Sequence, residues 1–364
     1  MSDMMEYKCP ACGGALEFDS KIQKLKCPFC DSEIEIAAFQ EEQPDQQPAS
    51  ADGADGGTWK AMGGESWQEG ETAGMRVYSC ESCGGEIVAE ESTGATACPF
   101  CGNRIVMKGQ FAGDLKPDYI IPFKLDKKAA KDAYHRHLKG KTFLPKVFKK
   151  ENHIDEIKGV YVPFWLFDVD AKADISYDAE RVMTWTEGDT EYTETEFYRV
   201  QRSGSISFER IPTDGSRKMD DALMEAIEPY DFADAVPFQP AYLAGYMADR
   251  YDVDQEERMS RARERIKVST EDSFRQTVQG YDSVTPAQST VSILSAQYWY
   301  ALYPVWLLNT TWKDQKFTFA MNGQTGKIVG DLPFDKGLFW KYVAIRGAII
   351  GAILYALMWG FTLM

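Results

Sequence analysis

The stretch GVYVPFWLFDVDAKADISYDA, residues 159–179, decides the fold. Its aromatic residues surround a proline in the order Tyr161, Pro163, Trp165, and proline at such a position suits the start or the edge of a strand. We interpret the stretch as a strand pair. A second stretch, ALYPVWLLNTTWKDQKFTFAMNGQTGKIVG at residues 301–330, has the same character and contains a hairpin signal, NGQTG.

Both stretches follow a proline-phenylalanine pair and a helical segment. The first unit begins IPFKLDKKAAKDAYHRHLKG at residue 121, and the second begins VPFQPAYLAGYMADRYDVDQEERMSRARERIK at residue 236. The order of proline-phenylalanine, helix and aromatic strand therefore occurs twice, which indicates an internal duplication. We predict an α+β domain with an antiparallel sheet over residues 109–335.

All eight cysteines fall into two sets with the same spacing, C-x2-C-x14-C-x2-C. The sets are Cys9, Cys12, Cys27 and Cys30, and Cys80, Cys83, Cys98 and Cys101. Two such pairs on hairpin tips supply the tetrahedron of thiolates that zinc prefers, so we predict two zinc ribbons with one Zn²⁺ each. Gly13, Gly84, Gly102 and Asp31 follow a cysteine where a tight turn needs a positive φ.

Charge separates the ribbons from nucleic-acid-binding modules of the same kind. The chain carries 40 cationic and 56 acidic residues, a net charge of −16. Residues 6–36 hold four cations against six acids, and residues 76–108 hold three against four. Phosphate contacts dominate nucleic-acid affinity, so these ribbons are predicted to dock protein or to stabilise the fold, and nucleic acid is not expected as a partner.

The predicted boundaries are ribbon 1 at 1–37, an acidic flexible linker at 38–74, ribbon 2 at 75–108, the α+β domain at 109–335 and a C-terminal anchor at 336–364. The linker contains EEQPDQQPASADGADGG, which cannot form a core. Trp59 and Trp67 interrupt its second half, either docking on a neighbour or starting the next domain.

No catalytic motif stands out, and we predict no enzyme. The GKT at residues 140–142 has His135 where a phosphate loop needs glycine. His135 and His137 point to different faces of a helix and are interpreted as surface residues. The acids Asp168, Asp170 and Asp174 lack the pattern of a calcium loop and are interpreted as a solvated strand end. The charges of DQEERMSRARERIK are interpreted as a solvated helix face with internal salt bridges.

The end of the chain differs from the rest. After Arg346, 18 residues carry no charge. Such a helix would span about 27 Å, close to the hydrocarbon core, and Lys336, Lys341 and Arg346 precede it. The positive-inside rule therefore predicts a single-pass tail anchor in the cell membrane, with the N-terminal part in the cytoplasm. A helix-packing face is predicted from small residues at Ala344, Gly347, Ala348, Gly351, Ala352, Ala356 and Gly360.

Together, the two CPxCG-type ribbons, the YVPFW and YPVWL strands, the NGQTGKIVGDLP hairpin and the terminal helix resemble the bacterial YdjG-like zinc-ribbon membrane proteins. The resemblance implies a role in the response to membrane stress. It also implies assembly with a second membrane protein and a flotillin-like (SPFH) protein, and recruitment of phage-shock protein A.

We therefore expect a membrane-anchored adaptor whose helix packs either against another copy, forming a homo-oligomer, or against a different membrane protein. Two alternatives stay open: a membrane-tethered zinc-ribbon protein that binds nucleic acid, and a hydrolase in the α+β domain.

Overall fold

A computed structural model describes residues 8–39, 59–63, 66–67, 72, 75–80, 82–90, 98–100, 106–110, 115–154 and 156–362. The strands are β1 (Glu17–Asp19), β2 (Lys24–Lys26), β3 (Glu33–Ile34), β4 (Trp59–Ala61), β5 (Met75–Ser79), β6 (Glu86–Glu90), β7 (Val106–Gln110), β8 (Tyr119–Ile120), β9 (Lys158–Glu187), β10 (Thr190–Asp214), β11 (Val236–Pro237), β12 (Met247–Asp249), β13 (Ser283–Trp312), β14 (Gln315–Asn322) and β15 (Ile328–Gly330). The helices are α1 (Lys127–Leu138), α2 (Glu151–Ile154), α3 (Asp221–Ala226), α4 (Gln255–Gln276) and α5 (Lys336–Thr362). The fold is thus α+β and mostly sheet, as predicted.

Three very long strands form the frame. β9 pairs with β10 through a tight turn on one side, and with β13 on the other, both antiparallel. The stretch 159–179, which we interpreted as a strand pair, lies within the single strand β9, and that interpretation was wrong. Partners on both edges keep β9 extended over 30 residues, whereas strands are usually about 5–6 residues long.

Burial along β9 changes in three steps. Nearly every residue from 159 to 167 is buried, so both faces are covered there. From 168 to 180 the odd-numbered residues are buried and the even-numbered ones face outward, and beyond 180 every residue is exposed. Asp168, Asp170 and Asp174 lie on the outward face in mid-strand, not at a strand end as we had interpreted. Asp170 accepts hydrogen bonds from Ser207 and Ser295 at 2.6 and 2.7 Å.

The two units of the predicted duplication meet in the centre of the sheet. Tyr161 of β9 lies opposite Pro304 of β13, so the two aromatic-proline motifs pair with each other. β8, which directly precedes the first unit, and β11, which begins the second, also pair antiparallel. The NGQTG stretch forms the turn between β14 and β15, as predicted, and Gly326 N–H donates to the Asn322 carbonyl at 2.9 Å.

Helix α4 covers the inner face of the long β9–β10 hairpin. Its side chain Phe274 packs near Ile175 and Tyr177, and Asp254 caps its first turn by accepting from Glu257 N–H at 2.9 Å. The charges of α4 were predicted to form salt bridges within the helix. Within α4, Arg261 pairs with Glu264 at 2.9 Å, as predicted. Arg261 and Arg265 also pair with acids at the end of α3 and beyond it, Glu225 and Glu228, at 2.8 and 2.7 Å.

Part of the predicted linker belongs to the fold. Residues 59–61 form β4, which pairs parallel with β13. The ring of Trp67 packs edge-on against Phe238 with centroids 5.7 Å apart. The strands of the second ribbon are likewise continuous with the main sheet, because β6 pairs with β12.

Candidate metal centres and C-terminal helix

The first cysteine set brings its four sulfur atoms together. The Sγ atoms of Cys9, Cys12, Cys27 and Cys30 all lie within 4.8 Å of one another. Cys9 Sγ and Cys30 Sγ are 3.4 Å apart, and Cys12 Sγ and Cys27 Sγ are 3.5 Å apart. Zinc–sulfur bonds of about 2.3 Å in a tetrahedron place sulfurs about 3.8 Å apart, so this cluster fits one tetrahedral ion.

Backbone turns aim these side chains. Gly13 N–H donates to the Cys9 carbonyl at 2.7 Å, and Asp31 N–H donates to the Cys27 carbonyl at 3.0 Å. Gly13 has φ +74°, Asp31 has φ +56°, and Gly84 of the second set has φ +66°. The positive φ predicted at these three positions is confirmed. Gly102 lies outside the described residues.

Electrostatics differs between the cysteines of the first cluster. Against the lowering effect of a hydrogen bond from the Gly14 backbone, contacts with the Cys30 and Cys27 thiols raise the pKa of Cys12 to about 12, whereas Cys30 favours thiolate. The Ser32 hydroxyl lies 3.1 Å from Cys30 Sγ and helps to lower the pKa of Cys30 to about 6. Thiolate is the form that binds metal. Cys12 and Cys30 are exposed, whereas Cys9 and Cys27 are buried.

The first ribbon is docked on the α+β domain. Phe18 N–H donates to the Ala244 carbonyl at 3.0 Å, and the Phe18 ring contacts the Tyr242 ring. Gln23 Nε2 donates to the Phe123 carbonyl at 2.8 Å. These bonds fix the position of the first cluster against the domain.

The second set is assembled in the same way but lies deeper. Cys80, Cys83 and Cys98 bring their sulfurs within 4.8 Å of one another, and Cys101 lies outside the described residues. Cys80 and Cys98 are buried in a core cluster with Phe100 and with Met219 of the α+β domain. The second cluster is therefore part of the interior of the fold.

Three side chains from distant parts of the chain hold the two turns of the second cluster. Lys218 Nζ donates to the Cys83 carbonyl at 2.7 Å. Asn309 Nδ2 donates to the Pro99 carbonyl, and Lys316 Nζ donates to the Phe100 carbonyl. No local sequence signal indicates them, because Lys218 lies far along the chain and only the sheet topology brings Asn309 of β13 and Lys316 of β14 to the second cluster. The ammonium groups of Lys218 and Lys316 offset the negative charge of the thiolates.

The four-cysteine donor set of the first cluster is that of a structural metal site. In the first cluster, four thiolates would fill a tetrahedral metal and leave no position for a substrate. A metal held this way stabilises a small ribbon that has little core of its own.

Helix α5 is the one described helix long and apolar enough to cross a membrane. It has 27 residues, and every side chain from Trp340 to Tyr355 is exposed. The predicted packing residues Ala344, Gly347, Ala348, Gly351 and Ala352 lie on this exposed part, with Ala356 and Gly360 further along the helix. The packing face itself stays a prediction.

Among the described side chains, His135 and His137 belong to neither cysteine cluster. His135 Nε2 lies 3.5 Å from a Glu151 carboxylate oxygen on the surface. His137, predicted to be a surface residue, is half-buried against Phe319, and burial lowers its pKa. His153 lies in α2.

The comparisons with known proteins identify one kind of relative. No family model matches the chain, and no solved structure matches it. "Uncharacterized protein YdjG" of Bacillus subtilis (strain 168) is 33% identical over 354 residues, which cover 97% of this chain and 96% of that protein. Because the similarity runs through nearly the whole of both proteins, the chain belongs to the YdjG family.

Proposed function

We propose that the protein is a membrane-anchored adaptor that faces the cytoplasm and assembles with other membrane proteins. The observation that carries this proposal is the exposure of α5 on all sides from Trp340 to Tyr355. A fully buried large apolar side chain is favoured by about 1.5–3 kcal/mol over an exposed one. A helix with so many exposed apolar side chains needs an apolar environment. The hydrocarbon core of a bilayer, about 30 Å thick, matches its length.

Zinc is the metal proposed for both clusters. The donor set is thiolate alone, and the spacing of the sulfurs suits a tetrahedral ion. In this proposal, the metals keep the two ribbons folded and docked, and they take no part in a reaction.

The tip of the long β9–β10 hairpin supports a docking role. Beyond the cover of α4, the side chains Met183, Trp185, Tyr192 and Phe197 are each more than 40% exposed. The rings of Trp185 and Tyr192 stack across the β9–β10 hairpin with centroids 5.7 Å apart. Rigid exposed aromatic residues are typical of protein-binding surfaces. We propose that this tip contacts the SPFH-type partner that the family resemblance implies, within a membrane-stress response.

A pull-down in mild detergent tests the adaptor proposal. Full-length tagged protein should recover an SPFH-domain protein from the membrane fraction, identified by mass spectrometry. The double variant Trp185→Ser/Tyr192→Ser should lose it, whereas Val268→Ser/Leu294→Ser, which alters exposed apolar residues elsewhere, should keep it. Recovery of no membrane or SPFH-type protein would count against the adaptor proposal. Equal recovery by both variants would count against the hairpin tip as the binding surface.

The cavity beside Asp249 gives no support to the hydrolase alternative. Apolar side chains such as Phe238 and Leu302 line it, and its volume is about 30 Å³. That is room for one or two water molecules. Its charged neighbour Arg250 is paired with Glu86 at 2.7 Å, and the volume of the cavity is too small for a substrate.

A further inference from the structure

One surface of this acidic protein is positively charged. Residues 136–150 contain six cations and no acid, although the whole chain has a net charge of −16. All six are exposed, and none forms an ion pair in the part of the chain that the structure describes. We call these six the basic surface: Arg136, Lys139, Lys141, Lys146, Lys149 and Lys150.

Buried side chains behind the basic surface hold it in place. Leu138, Leu144 and Phe148 alternate with the cations and point into the core. Tyr134 Oη donates to the Phe148 carbonyl at 3.3 Å. Since the backbone is fixed from within, the cations are presented together, and binding has to order only their side chains.

The basic surface is attached to the start of α5. Asp335 N–H donates to the Phe143 carbonyl at 2.9 Å. The ring of Phe143, in the middle of the basic stretch, contacts the rings of Phe334, Phe339 and Tyr342 with centroids 5.3–5.5 Å apart. The cations therefore lie beside the segment where α5 would enter a bilayer. The same first turns of α5 add Lys336, Lys341 and Arg346.

We propose that the basic surface binds the headgroups of anionic phospholipids in the bilayer that α5 crosses. The proposal rests on the membrane anchor in the proposed function and goes beyond it, since it assigns a lipid-binding site to the folded domain. Clusters of four to eight cations beside a membrane helix attract anionic lipids, and each cation strengthens the attraction about fivefold. A membrane is favoured over nucleic acid as the partner because Phe143 ties the surface to α5.

Lysine footprinting of the full-length protein in lipid nanodiscs tests the proposal. The discs contain phosphatidylcholine alone, or about three parts in ten of phosphatidylglycerol, and a neutral acylating reagent labels the lysines. We expect phosphatidylglycerol to slow the labelling of Lys139 and Lys149 about fivefold or more. Lys172 and Lys267, exposed on β9 and α4, should react equally in both discs.

Matched variants separate the basic surface from charge in general. The variant K141Q/K146Q/K150Q removes three cations from the surface, and K172Q/K267Q/K313Q removes three exposed cations elsewhere. We expect the first variant to lose the protection of Lys139 and Lys149 and the second to keep it. The comparison of the two lipids on the unaltered protein needs no variant, so a misfolded variant does not decide the result.

Each other outcome overturns the proposal in a recognisable way. Equal labelling in both lipids, in protein that is incorporated into the discs, overturns lipid binding and leaves the anchor standing. Failure of the chain to enter the discs overturns the anchor and the lipid site together. Equal protection of Lys139 and Lys149 by a single-stranded RNA in phosphatidylcholine discs would instead assign the surface to nucleic acid.

Discussion

Replacing Asn322 with aspartate tests how the last hairpin is held in the fold. Asn322 is fully buried. Its Nδ2 donates to the carbonyls of Ile227 and Pro229 at 3.0 Å each, and its Oδ1 accepts from Gln324 N–H and Thr325 N–H at 2.9 Å each. The side chain thus links the hairpin turn to the segment that follows α3.

Aspartate has the same size but cannot donate when it is ionised. The two accepted bonds persist, whereas two buried carbonyl oxygens lose their donor and face a carboxylate. Each unsatisfied buried group costs about 1–3 kcal/mol, so Asn322→Asp should lower the free energy of unfolding by about 4 kcal/mol at neutral pH. Burial and the two carbonyls should raise the pKa of the new carboxyl, so the deficit should shrink as the pH falls towards the ordinary aspartate pKa of about 4.

The assay is urea denaturation of the zinc-loaded full-length protein in nonionic detergent, followed by tryptophan fluorescence. With a slope of about 3 kcal/mol per molar, the midpoint should fall by about 1 M. Gln315→Glu is the control, because it adds the same charge at the exposed start of β14. A loss below about 1 kcal/mol for Asn322→Asp, or an equal loss for Gln315→Glu, would refute the account of the buried amide.

Three further predictions follow from the packing, the titration and the exposure of other groups. Gly323→Ala should lower the free energy of unfolding, measured by urea denaturation, by about 1–3 kcal/mol, because its Cβ would lie 2.6 Å from a buried Phe123 ring carbon. An unchanged free energy would mean that the core rearranges to accept the methyl group. Burial raises the pKa of Asp249 to about 8, so this carboxyl stabilises the fold fully below its ordinary pKa and the contribution is lost as the pH rises through 8. Asp249→Asn should therefore flatten the fall in melting temperature between about pH 4 and 8, and an unchanged profile would contradict the assignment. A chelator should remove metal in a fast and a slow phase, because Cys12 and Cys30 of the first cluster are exposed while Cys80 and Cys98 of the second are buried. Cys30→Ser should abolish the fast phase. Loss of the slow phase instead would mean that the second cluster releases its metal first.

Local chemistry accounts for what could be predicted from the sequence. The turn after each cysteine pair follows from the positive φ of Gly13, Asp31 and Gly84. The NGQTG hairpin likewise needs only its own residues. The overall α+β class follows from the same local patterns, because strand and helix signals alternate along residues 109–335.

Long-range pairing accounts for what could not be predicted. β9 continues through Asp168, Asp170 and Asp174 because neighbouring strands supply serine hydroxyls and arginine to its acids. Nothing within the stretch itself indicates those partners. The arginines of α4 find acids on another element for the same reason. The basic surface has a local signal, a segment of 15 residues without an acid, but the net charge of the whole chain conceals it.

The register of the central strands also sets the order in which the protein can fold. β9 and β10 are joined by the turn at Gly188, so this hairpin can form as soon as both strands exist. The other edge of β9 must wait for β13, since Lys158 pairs with Leu307 and Glu180 with Ser283. Closing such long loops slows folding. During synthesis, one edge of β9 is therefore open to wrong partners, which makes the growing chain a candidate for chaperone protection until β13 has been made.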